Sequence, residues 1–182
     1  MTAILWGLVF LLLAPSTGRG EGAVPHREEY VSVTAKLSHD GVHGGSYFRA
    51  ALILTVRKGW HINSASPSDE NLIATSASFL PPPGLRVTAV RYPREESKKL
   101  AFSDSTLDVY EGTVVIILKI AAAAEMKPGA YMLPVEISYQ PCNKDVCLAP
   151  ATVKVVIPVQ VLSPDVLPTP VNPGLFTGST NE

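Results

Sequence analysis

Sixteen prolines and thirteen glycines are scattered along a chain of 182 residues, so few stretches run unbroken for the length of an ordinary helix. Between these breaks the apolar residues recur with a period of two. In "YVSVTAKLSH", Tyr30 to His39, the side chains of Val31, Val33, Ala35 and Leu37 fall on one side, the pattern of a half-buried strand. A glycine-rich turn, "DGVHGGS", then precedes "YFRAALILTVRKGWHI", Tyr47 to Ile62, which reads as one long strand apolar on both faces at its centre. Such a strand belongs in the middle of a sandwich or under a second sheet. Asn63 to Ser76 reads as a loop with at most one helical turn, because Leu72 and Ile73 alone follow the capping-type residues Ser66, Pro67 and Asp69. A proline-stiffened corner leads to a short strand at Leu85 to Tyr92. Arg94 to Gly112 reads as a charged, turn-rich connection, interrupted by Leu100, Phe102, Leu107 and Val109. Thr113 to Ala122 is again apolar on both faces, and Ala130 to Gln140 and Leu148 to Leu162 form the last two strands. Pro134 and Pro158 push those points towards an edge or a bulge. With about seven short strands and turn signals between them, the expected fold is all-β: an immunoglobulin-like antiparallel β-sandwich.

The two ends differ from this pattern. Ile4 to Ala14 is an apolar run of eleven residues, followed by Pro15 and small polar residues. That is too short for a transmembrane helix and fits the apolar centre of a secretory signal, although Met1 to Ala3 carries no lysine or arginine. The expected organisation is a signal peptide at 1–22, one domain at 23–162 and a proline-rich, disordered tail or spacer at 163–182. No cysteine follows the apolar run, so a lipoprotein anchor is not indicated, and no membrane span is expected once the signal is removed. A formal charge of −1, with acids and bases interspersed, gives no basic face for nucleic acid or anionic lipid.

Export bears on "YQPCNKDVCLAP", Tyr139 to Pro150, which contains both cysteines of the chain. In an oxidising compartment such a pair forms a disulfide unless a reductant is supplied. Cys142 and Cys147 sit at the two ends of a hairpin connection. Closing so short a loop stabilises by about 2 kcal/mol on the chain-entropy model, less than a bridge across a longer loop. A structural staple and a redox pair both fit the spacing. Lys144 favours a thiolate nearby and Asp145 opposes it, whereas a bridge at an exposed hairpin tip is open to attack by another protein's thiolate.

This stretch, together with "GWHINSASPSDENLIATS" and "KKLAFSDSTLDVYEG", resembles the N-terminal periplasmic domain of the thiol:disulfide interchange protein DsbD and its stand-alone relatives, from about Tyr30 to Leu162. The resemblance implies an immunoglobulin-like sandwich. It also implies a Cys142/Cys147 pair that takes electrons from a thioredoxin-like domain of a membrane reductase and passes them to envelope disulfide oxidoreductases, with no cofactor. Cys147 matches the cysteine that forms the mixed disulfide with a partner. Phe102 matches an aromatic cap residue that shields the pair, and Tyr139 and Gln140 match the segment leading into the first cysteine. The expected protein is a periplasmic or secreted monomer, of protein-disulfide reductase type if active. The pattern departs in two places: the cysteine loop is one residue shorter than in the best-known member, and Ala101, Ser103 and Asp104 flank the cap phenylalanine. The chain shows neither the membrane conduit nor the thioredoxin-like domain of the full protein, so the expectation is that its electrons come from another polypeptide or that it is not a reductase at all.

Competing readings rest on residues alone. A scaffold sandwich with a structural hairpin disulfide is the alternative from another class. Phe102 on its own reads as a residue tucked into the sandwich, and His61, beside Trp60, as a surface or hydrogen-bonded side chain. His39 and His43 flank a glycine turn at a spacing of four with no carboxylate or cysteine pattern of a metal site around them, and no metal is expected there. Cys142, Cys147 and Met132 are a conceivable copper(I) set. Glu95 to Lys99 reads as a solvated loop, and no order of residues suggests a serine-type triad or a phosphate loop.

Overall fold

The computed structural model describes residues 30–100 and 105–176. Among them run eleven strands: β1 (Val31–Leu37), β2 (Tyr47–Val56), β3 (His61–Asn63), β4 (Ser76–Phe79), β5 (Leu85–Arg91), β6 (Glu96–Lys99), β7 (Thr106–Tyr110), β8 (Thr113–Ala122), β9 (Gly129–Tyr139), β10 (Pro141–Cys142) and β11 (Ala151–Val161). One turn of helix, α1 (Pro173–Phe176), follows. The strands form three sheets, ordered β1-β2-β8-β5, β11-β9-β4 and β10-β3-β7-β6, and their ladders are antiparallel.

Alternation builds the core. Phe48, Ala50, Leu52 and Leu54 of β2 and Val114, Ile116, Leu118 and Ile120 of β8 share one buried cluster with Leu133, Val135 and Ile137 of β9 and Val153, Ile157 and Val159 of β11. Because side chains on a strand point alternately to opposite faces, every second residue of these strands faces inward. The result is the immunoglobulin-like sandwich that the strand pattern predicts. Pro158 lies in β11, an edge strand, as its missing N–H requires. Pro134 lies in the central β9, where β4 has already ended at the Phe79–Val135 pair. Its carbonyl accepts from Leu80 N at 3.1 Å on that side, so the ring faces the unpaired end and breaks no ladder bond.

The expected single strand from Tyr47 to Ile62 is two strands in different sheets. Gly59 has a φ of 82°, and Trp60 N donates to Arg57 O at 2.9 Å, so a tight turn separates β2 from β3. Glycine reaches that region of φ without the steric cost other residues meet. Arg94 to Gly112, expected as an irregular connection, contains the β6–β7 hairpin, with Leu107 and Val109 buried. Glu95 to Lys99 is therefore largely strand, not loop. Its charge is matched across the ladder: Lys98 pairs with Glu111, and Ser97 Oγ donates to Asp108 Oδ1 at 2.7 Å.

The expected disordered tail is also corrected, for residues 163–176. The chain runs back along the outside of the first sheet. Asp40 N donates to Thr169 O at 3.0 Å, Thr169 N to Asp40 Oδ1 at 2.8 Å, and Val171 N to Ser38 O at 2.8 Å. The Thr169 N–H, first among the causes, holds the Asp40 carboxyl below its ordinary range. Phe176 then buries against Ala51 and Ile117, the outward-facing apolar residues of β2 and β8. Arg49 Nη1 donates to Phe176 O at 3.2 Å, and its guanidinium lies 5.3 Å from the ring centroid. This segment covers part of the outer apolar face that β2 and β8 show in sequence. Phe176→Ala is expected to release it locally, which limits the loss to about 1–2 kcal/mol rather than the full cost of a core phenylalanine. Limited proteolysis should then cut within 163–176 while the melting temperature falls by only a few degrees.

Candidate functional site

β9 and β11 pair along their whole length, Gly129 with Val161 through Tyr139 with Ala151, and the cysteine segment is the connection between them. Tyr139 is fully buried in the core and fixes where β9 ends. The chain then turns sideways as β10 and pairs with β3, Pro141 opposite Ile62 and Cys142 opposite His61. A short turn returns it. Asn143 Oδ1 accepts from Asp145 N at 2.8 Å and Val146 N at 2.9 Å, Asn143 N donates to Val146 O at 2.9 Å, and Leu148 N donates to Pro141 O at 2.9 Å. An asparagine bonded to its own turn in this way sets the backbone before any cross-link forms.

Cys142 and Cys147 face each other across that turn, form a disulfide, and have Cα atoms 4.0 Å apart. The two sulfur-bearing residues differ in exposure. Cys142 is fully buried, whereas Cys147 is half-buried. Val146, beside Cys147, is exposed, and so are Lys144 and Asp145, whose charged atoms lie 3.7 Å apart. An exposed pair of that kind contributes little field at the sulfurs.

Gln140 ties the hairpin to the rest of the site. Its Oε1 accepts from Asn63 Nδ2 at 3.1 Å and from Ile73 N at 3.3 Å, and its Nε2 donates to Leu148 O at 3.1 Å. Asn63 Nδ2 also donates to Ile73 O at 2.9 Å, and Thr75 Oγ1 to Asn63 O at 2.6 Å. The loop after β3 is thereby bonded to both sides of the cysteine turn. Tyr139 and Gln140, both expected beside the pair, are found there. Phe102, the expected cap, lies outside the described residues, as does the expected signal at 1–22.

Two residues at this site are not visible as such in the sequence. His61, expected at the surface or hydrogen-bonded, is 3% exposed, and its Nε2 has no hydrogen-bond partner among the described residues. Asn63, two positions on and on the same face of β3, is fully buried with Oδ1 likewise unpartnered among them. Burial lowers the His61 pKa below the usual 6.5; Glu111 works against this and Lys98 adds to it. The one available signal is the polar pair at alternate positions of "WHIN", interleaved with Trp60 and Ile62.

The histidines at the glycine turn serve the scaffold. His39 Nδ1 lies 3.0 Å from Ser38 Oγ, and His43 Nε2 lies 2.8 Å from Val166 O. Among the described residues, no three His, Cys, Asp or Glu side chains gather as a metal site would need. Met132 lies seven positions before Tyr139 on the extended β9, about 20 Å along the strand, so it does not join the cysteines as a third sulfur ligand.

Residues 34–158 match the sequence pattern of the family described as "Thiol:disulfide interchange protein DsbD, N-terminal". The chain belongs to this family. No curated protein sequence shows a significant match to this chain. Among solved structures, the chain is similar to the DsbD N-terminal domain of Neisseria meningitidis in its reduced form, at 15% identity over 75% of this chain and 91% of that one, with a TM-score of 0.48. It is similar to the N-terminal periplasmic domain of ScsB from Proteus mirabilis at 14% identity over 73% of this chain, with a TM-score of 0.49, and spans 47% of that longer chain. A third similar structure is the complex between the DsbD N-terminal and PilB N-terminal domains from Neisseria meningitidis, at 14% identity over 74% of this chain and 87% of that one, with a TM-score of 0.43. Membership in the DsbD N-terminal family makes this a thiol:disulfide exchange type of domain, and its cysteine pair lies within the matched residues. Among the described residues, no helix is long and apolar enough to cross a membrane.

Proposed function

We propose that the domain is exported and carries electrons between proteins through Cys142 and Cys147, taking them from a thioredoxin-like domain of a membrane reductase and giving them to envelope disulfide oxidoreductases. The observation that carries this reading is the asymmetry of the pair: a half-buried sulfur-bearing residue at a hairpin tip, bridged to a fully buried one. A donor thiolate attacks Sγ of Cys147, and Sγ of Cys142 leaves with the electron pair. The donor's second thiolate then attacks its own mixed-disulfide sulfur and releases Cys147, so the donor becomes a disulfide and the domain a dithiol. Run in reverse against an oxidised acceptor, the same steps pass the two electrons on. In this reading Phe102 is the lid over the reduced pair, Tyr139 and Gln140 hold the hairpin, residues 1–22 are the export signal, and the working domain begins near residue 23 in the periplasm.

The reduction potential of the pair tests the proposal. Equilibration against dithiol buffers, with trapping of free thiols, is expected to give a value between about −270 and −120 mV, where thioredoxin-like proteins exchange electrons. A value well below about −300 mV would place the bridge with inert structural disulfides and return the domain to the scaffold class.

A further inference from the structure

Cys142 and His61 stand directly opposite each other on β10 and β3. Opposed residues of an antiparallel pair project to the same face, with Cβ atoms about 5 Å apart. The imidazole is buried, and its Nε2 has no partner among the described residues. A buried nitrogen left in that state weakens a fold, whereas an apolar side chain of similar size in its place would not. The arrangement makes physical sense if a partner for Nε2 arises in another state of the same site.

We propose that His61 is the proton partner of Cys142: its ring hydrogen-bonds to, and exchanges a proton with, the Cys142 sulfur that is freed when the disulfide opens. This rests on the exchange reading above and names the group that makes a buried leaving sulfur workable. When a donor thiolate attacks Cys147, the bond from the donor sulfur to Sγ of Cys147 forms, the bond between the two protein sulfurs breaks, and the electron pair goes to Sγ of Cys142. That sulfur is fully buried, where an uncompensated thiolate is strongly disfavoured. The Nε2–H of His61 donates to it and passes its proton to sulfur as the ring takes up another from solvent. The donor thiol released one proton on becoming the attacking thiolate, so the count closes. Oxidation of the dithiol reverses the path.

The other groups facing the imidazole do not supplant this role. One step further along the β3–β7 ladder stands Glu111, which is held by Lys98 of β6, and Lys98 also lies 3.5 Å from Glu96. Burial, the largest influence, favours the neutral ring; Glu111 favours a protonated ring and Lys98 disfavours it. Among the described residues, the change of charge that accompanies turnover is the sulfur's own.

The test uses the full chain and no redox partner. Cys147→Ser leaves Cys142 as the single thiol, and the ultraviolet absorbance of its thiolate is titrated with His61 intact and with His61→Gln. Loss of the imidazole is expected to raise the midpoint by about one pH unit, a tenfold smaller thiolate fraction at neutral pH. In the native sequence, the His61 ring resonance is expected to titrate at higher pH in the dithiol form than in the disulfide form. An unchanged thiolate midpoint in His61→Gln, even with a lower melting temperature, would mean a merely structural histidine and overturn the proposal. If His61→Gln fails to fold, ring titrations that coincide in the two redox forms overturn it equally. A shifted midpoint combined with a reduction potential in the range of structural disulfides would keep the pairing and discard the exchange reading.

Discussion

Cys147→Ser is expected to reduce exchange with a reduced thioredoxin-like donor to the rate seen without the domain, and to form no trapped complex with it. Cys142→Ser is expected to lose turnover as well, but to accumulate a mixed disulfide with an oxidised acceptor, visible as a combined band on a non-reducing gel. The difference follows from exposure. Cys147 is half-buried at the hairpin tip, so its thiolate can reach a partner's disulfide even when Cys142 is gone. Cys142 is fully buried opposite His61, and left alone it presents no sulfur to an incoming protein. Stability does not produce the asymmetry. Each variant loses the same loop closure, about 2 kcal/mol on the chain-entropy model, so both should melt at similar temperatures. Equal trapping by the two variants would reject the assignment of Cys147 as the attacked sulfur while leaving the pair's redox role standing.

How much of this was legible in the sequence depended on how each segment is stabilised. β1, β9 and β11 bury one face and leave the other in water, which imprints a period of two that needs no knowledge of partners. The β2–β3 break was hidden because apolar residues resume after the turn, and Gly59 alone marks it. The β6–β7 hairpin was hidden because its outward positions are charged and satisfied across the ladder by Lys98, Glu111 and Asp108. The segment at 163–176 docks through backbone bonds to Ser38 and Asp40 and one phenylalanine, and none of these leaves a periodicity. At the site, the cysteines, Tyr139 and Gln140 were readable through the family pattern. Asn63 was not, since its side-chain partner Gln140 lies 77 residues further along the chain. Polar residues in a core acquire their meaning from contacts distant in sequence, which alternation cannot report.

Gln140→Ala tests how far that amide supports the redox pair. Its three hydrogen bonds join β3, the loop at Ile73 and the chain after Cys147 at Leu148. Two of the partners reach water once the amide is removed, but Asn63 is fully buried and its side chain keeps only the bond from Nδ2 to Ile73 O. The expected loss is about 2–3 kcal/mol, a fall of roughly 6–10 °C in Tm for a domain of this size. The loss should be greater in the dithiol form. In the disulfide form the bridge closes the turn independently of Gln140, whereas after reduction the Asn143 turn and the Gln140 bonds are what keep the two sulfurs in register. A variant that weakens the dithiol state more than the disulfide state must shift the couple towards oxidation. For a difference of about 1 kcal/mol, the potential becomes more negative by about 20 mV. Equal destabilisation of the two forms, with no change in potential, would make Gln140 a support of the sandwich and not of the redox pair.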